Sequence, residues 1–95
     1  MFIVLLRFSD NRALAAQHAP AHGEWIQRGF DDGVFLLVGS LQPRVGGGIV
    51  AQNTTRAELE GRVAADPFVA HDVVKAEILE LVPSRAEARL EFLLG

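Results

Sequence analysis

The sequence predicts an α+β domain with a four-stranded antiparallel sheet, and three observations predict it. Short apolar segments of strand length recur at the start of the chain, twice near its middle and again before Pro83. Two stretches of helix-forming residues separate them. The boundaries between segments carry cap and turn residues rather than further apolar sequence. At 95 residues there is room for one core, so residues 1–95 are read as one domain, with its core over 1–82 and a helical tail over 83–95.

Phe2 to Phe8 is apolar on both pleat faces apart from Arg7, the pattern of a central strand covered on both sides. Ser9-Asp10-Asn11 ends it with turn chemistry. Pro20 lacks the amide hydrogen that a helix interior uses and suits a first turn. The main first helix is therefore expected from about Pro20 to Asp32, after a short turn or helical piece, with Gly33 supplying its stop. Val34 to Val38 reads as the second strand, and Gly39-Ser40-Leu41-Gln42-Pro43 as the way into a loop. Val45 to Gln52 reads as the third strand, weakened at its start by Gly46-Gly47-Gly48.

Thr55 followed three residues later by Glu58 has the form of a capping box, so the second helix is expected from Arg56 to Ala65. Asp66-Pro67 ends it, because proline disfavours the helical conformation of the residue before it. In the fourth strand, Val73 to Val82, Val74, Ala76 and Ile78 point one way and Lys75 and Glu77 the other. Leu79-Glu80-Leu81 reverses that phase, which calls for a bulge or a second covered face.

The order β-α-β-β-α-β is the split βαβ, ferredoxin-like arrangement. Both helices then cover one face of the sheet. Apolar residues on both pleat faces of several strands say that the other face is not bare in solution, and a two-fold partner is its commonest cover. Leu90, Phe92, Leu93 and Leu94 in the tail offer further apolar cover.

Composition narrows the function. Mean hydropathy is +0.22, yet the runs Phe2 to Leu6 and Val34 to Val38 are short against the ~20 residues a spanning helix needs. No basic segment precedes the first run and no small-residue cleavage site follows it, so it reads as a strand rather than a signal peptide. The absence of cysteine removes disulfides, thiolate metal sites and cysteine nucleophiles, and fits a cytoplasmic location. A net charge of -3 with nine scattered basic residues gives no footprint for nucleic acid.

Chemistry falls to the histidines His18, His22 and His71. His18 and His22 are four apart, the spacing of two metal ligands on a continuous helix, but Pro20 between them argues that His18 precedes the helix and against a metal site. His71 reads as a polar strand-entry residue. Gly46-Gly47-Gly48 precedes a strand with no P-loop lysine and reads as a flexible hairpin arm. Ser40 lacks a G-x-S-x-G context and reads as a turn residue.

Pro20-Ala21-His22 opening a helix, Gly33 eleven residues after His22, the turn Gly39-Ser40-Leu41 and Asp66-Pro67-Phe68 after the second helix resemble, in order and spacing, the YciI-like (YCII-related) family over residues 1–82. The resemblance implies a ferredoxin-like fold, a dimeric α+β barrel in which two sheets meet, and a histidine–aspartate pair in a cleft, here His22 and Asp66. Ser40 stands where the family usually has proline, and His18-Ala19 where an arginine is common ahead of the helix.

Two functions follow. In the first, the chain is an enzyme that moves a proton on a small organic substrate in a lyase, isomerase or dehalogenating step, with no metal or organic cofactor. A carboxylate bonded to one imidazole nitrogen fixes the tautomer and raises the basicity of the other. His22 would then act as base or acid, Asp66 would orient it, and Trp25, Ser40 and Phe68 would line the pocket. In the second, the chain is a non-catalytic dimeric binding or accessory module. Asp66 then merely caps the turn made with Pro67, while His22 packs against Trp25.

Overall fold

A computed structural model describes residues 1–95. Strand β1 is Phe2–Phe8; a 3-10 turn, Arg12–Leu14, leads into helix α1, Ala15–Asp31. The hairpin β2, Phe35–Leu41, and β3, Gly46–Ala51, follows. Helix α2, Arg56–Ala64, a short helix α3, Pro67–Ala70, and strand β4, Val74–Glu80, complete the core, and the tail closes on a 3-10 segment, Ala88–Leu94. The sheet order is β2-β3-β1-β4 and every pairing is antiparallel. The ferredoxin-like arrangement expected from the sequence is therefore the one observed.

β1 registers Phe2, Val4 and Leu6 against Ala51, Ile49 and Gly47 on one side and Glu80, Ile78 and Ala76 on the other. These residues face the helices, and Phe2, Val4, Leu6, Ile49 and Ala51 are buried there with Trp25 of α1 and Leu59 and Val63 of α2. α1 comes so close to β2 that a Cβ on Gly29 would lie 2.1 Å from the Phe35 ring, so only glycine fits at that contact.

Three expectations are corrected, and the alternative left open for β4 is decided. α1 begins at Ala15 and runs through Pro20. Pro20 and Ala16 are both exposed, so the carbonyl that the missing amide leaves free can be hydrated, and the lost bond lies near a helix end where it interrupts little. His18 and His22 thus share one continuous helix. Gly39-Ser40-Leu41 does not leave the sheet: it continues β2, with Gly39, Ser40 and Leu41 opposite Gly48, Gly47 and Gly46. The register shift of the sheet falls between Phe35 and Leu37 in β2, whereas β4 pairs with β1 without interruption from Val74 to Glu80. Leu79 breaks the alternation of β4 because it belongs to the second face, opposite Ile3. Finally, Asp66-Pro67 both ends α2 and starts α3, with Pro67 in its first turn, and His71 caps the end of α3 instead of entering a strand.

The sheet face away from the helices carries Ile3, Leu5, Leu37, Leu41, Val50 and Leu79. Leu37 and Leu79 are exposed on it. No helix is long and apolar enough to cross a membrane.

Candidate active site

The chain reaches the site by way of α2, which is capped at its start and gives way to Asp66 at its end. Thr55 Oγ1 accepts the Glu58 amide at 3.2 Å, while the Glu58 carboxylate accepts from Thr54 Oγ1, so half of the capping box forms and a neighbour takes the other half. At the far end Val63 and Asp66 are buried, and Asp66 is the one buried charged residue of the chain. Its Oδ1 accepts the Phe68 amide at 3.0 Å and so caps α3.

The same oxygen accepts from His22 Nδ1 at 2.7 Å. Asp66 is thus both the cap of α3 and the partner of His22, and the two contacts share one atom. With Nδ1–H donating to the carboxylate, the lone pair of His22 lies on Nε2. Nε2 has no partner within the chain and is not enclosed. The imidazole stacks on Phe68, with ring centroids 3.9 Å apart and planes within 5°, and lies 5.8 Å from the Trp25 ring. Asp66 Oδ2, in contrast, is buried with no hydrogen-bond partner, a cost that few native polar atoms carry.

His22 and Phe68 open on a cavity of about 300 Å³ between the helices and the sheet. Ile26, one turn after His22, adds an apolar wall, and Leu6, Val38 and Val74 rise from the sheet. Ser40 contributes from β2, its hydroxyl unpaired within the chain, and Gly46, Gly47 and Gly48 form a floor with no side chains. The glycine stretch that reads as a hairpin arm therefore shapes the cavity.

Trp25 does not line it. It is 3% exposed, its indole N–H donates to the Arg62 carbonyl at 2.9 Å, and its ring meets Phe35 edge-on at 5.2 Å. Trp25 ties α1 to α2 and the sheet. Ile26 shares a helix face with His22, four residues on, yet it has no pocket role on sequence grounds. Sequence reasoning also missed the floor, which exists only once β2 and β3 pair. His18 turns instead to His71, the two rings stacked at 3.9 Å, and no group of three or more histidine, cysteine or acidic side chains stands ready for a metal ion.

A search of curated proteins found no match. Among solved structures, the fold is similar to 5-chloro-2-hydroxyhydroquinone dehydrochlorinase from Burkholderia phenoliruptrix, solved in complex with 2,5-dihydroxybenzoquinone. The TM-score is 0.68 at 12% identity, over 85% of this chain and 93% of that one. The family model of the YCII-related domain matches residues 1–82, the whole stretch from β1 through the end of β4 that builds the sheet, the histidine and its aspartate, and the chain belongs to that family.

Proposed function

We propose that this chain is an enzyme that uses His22 and Asp66 to transfer a proton on a small organic molecule, in a lyase, isomerase or dehalogenating step without a metal or organic cofactor. One observation carries the reading: a 2.7 Å bond from Nδ1 to a buried carboxylate leaves Nε2 free beside a largely apolar cavity. His22 Nε2 takes the proton from the substrate. Asp66, with one oxygen unsatisfied, stabilises the imidazolium that results. In a dehalogenating step the electron pair left by the proton would expel halide, so that the net change is loss of hydrogen halide and no oxidant or reductant is consumed. The solved dehydrochlorinase of the same fold supports this class of chemistry.

Ile26, Phe68 and Ser40 bind the substrate, the first two by contact with a flat apolar body. Trp25, given a pocket role on sequence grounds, acts through the position of α1. A His22 bonded to main chain would favour the binding or accessory module, and its Nδ1 bonds instead to the Asp66 carboxylate. The chain works as a homodimer through the open sheet face, whose leucines otherwise meet water.

Purified protein incubated with chlorinated hydroxyquinols, with chloride release followed by electrode and exchange of substrate hydrogen followed in deuterated water, tests the reading. Turnover that vanishes in His22→Ala is the expected result. Equal turnover in wild type and His22→Ala would overturn it.

A further inference from the structure

The cavity beside His22 has an unusual mouth. Next to it lies a second recess bounded by Arg12, Gln42 and Arg44, and the two recesses share Phe8, Ser40 and Gly46 as common walls. The two adjoin at these residues, one apolar beside His22 and the other basic. No acidic residue lines either part.

The two arginines differ from most basic side chains of this protein. Arg7, Arg56, Arg62, Lys75 and Arg89 each pair with a carboxylate, whereas neither Arg12 nor Arg44 has an acidic partner. Arg12 is nevertheless held in place. Its guanidinium sits over the Phe8 ring, 4.4 Å from the centroid, and donates to the Arg44 carbonyl at 3.3 Å. One guanidinium is thus fixed against a wall of the cavity, and its hydrogen bond ties the 3-10 turn ahead of α1 to the β2–β3 loop. Arg44 itself occupies that loop with φ of 51° and lines the same recess.

We infer that Arg12 and Arg44 form the anion-recognising end of the site, and that its ligands are aromatic compounds carrying a carboxylate or an ionised phenol. The ring lies over the glycine floor against Ile26 and Phe68, and the negative group reaches the guanidiniums. A planar, always-charged guanidinium recognises a carboxylate or phenolate through charge-assisted hydrogen bonds that a neutral group cannot match. The assignment rests on the reading of the His22 cavity as the ligand site and adds a substrate class to it.

The test compares two probes of nearly one shape, 4-hydroxybenzoate and its neutral amide 4-hydroxybenzamide, by calorimetry on the intact chain. Wild type should bind the acid about 10-fold or more tightly than the amide, in line with a charged hydrogen bond, and added salt should weaken the acid alone. Arg44→Gln, which removes no hydrogen bond made by the side chain, should reduce that preference, and Arg12→Gln with Arg44→Gln should abolish it. Circular dichroism checks that both variants keep the fold. Equal binding of the two probes to wild type, a preference that survives in the double variant, or no binding of either probe would each overturn the inference. Those outcomes leave chloride release and its dependence on His22 unaffected, so failure here and failure of the proton-transfer reading are told apart.

Discussion

Asp66 Oδ1 accepts two hydrogen bonds, one from His22 Nδ1 at 2.7 Å and one from the Phe68 amide at 3.0 Å. The cap of a four-residue helix therefore aims the carboxylate at the imidazole, and the ring of Phe68, carried by the residue whose amide is capped, supports that imidazole face to face. Capping and orientation reside in one oxygen, but substitution separates them.

Asp66→Asn retains an oxygen for the Phe68 amide but loses the charge that stabilises an imidazolium. Turnover should fall by a factor on the order of 10³–10⁴, as expected when a histidine keeps its place and loses its carboxylate, with little change in the unfolding midpoint. Asp66→Ala should show the same loss of turnover and also lose about 1 kcal/mol or more of stability, because the cap goes with it. Turnover assays beside urea titrations read the two effects. A fully active Asp66→Asn would show that the carboxylate has no part in the reaction.

Trp25→Phe keeps an aromatic ring against Phe35 but removes the donor to the Arg62 carbonyl. Stability should drop by about 1–2 kcal/mol, the cost of one hydrogen bond to a carbonyl that keeps the Ala65 amide plus a smaller ring in the core. Ligand affinity should stay within about two-fold, because Trp25 lies outside the cavity lining and affects it only through α1. A large loss of affinity at unchanged stability would put the indole back in the pocket. Thermal melts and calorimetry on one preparation suffice.

The parts of the fold that were legible depend on neighbours in sequence. Thr55 caps α2 through Glu58, and Pro67 fixes the break at Asp66; both act within a few residues. The pairing of His22 with Asp66, 44 residues apart, came from the resemblance rather than from periodicity. What escaped was decided over longer distances. Pro20 reads as a helix start because the rule is local, yet the helix continues through it at an exposed position. Gly39 and Ser40 look like the end of a strand, yet they are held in the ladder by Gly48 and Gly47. Poor strand formers on both sides of one hairpin make sense only as the hollow over which His22 sits.

The open face of the sheet predicts a dimer. Ile3 and Leu79 face each other across β1 and β4, and Leu37 is 56% exposed on the same side. A contact that buries a total of about 1,000 Å² or more would cover them. Light scattering at micromolar concentration should give twice the 10.3 kDa chain mass, and Leu37→Asp with Leu79→Lys should halve it, since charges on the face repel burial. A wild-type particle of single chain mass would refute the dimer.

The last prediction concerns Gly47, which lies between Leu6 and Ser40 on the helix-facing side of the sheet and forms part of the cavity floor. A Cβ added there meets only the Gly39 carbonyl oxygen, at 3.3 Å, so an alanine needs that oxygen to give by a few tenths of an ångström. A longer side chain has nowhere to go except the hollow under His22. Gly47→Leu should therefore weaken 4-hydroxybenzoate binding by about 10-fold or more, since overfilling a packed space costs about 1–3 kcal/mol. Gly47→Ala should fall between leucine and wild type. Stability should hold or rise in both, because glycine is a poor strand residue that gives up more freedom on folding than either replacement. A stable Gly47→Leu protein that binds the probe as wild type does would mean that the ligand never occupies the space above the glycines, and the cavity would lose its claim to be the site.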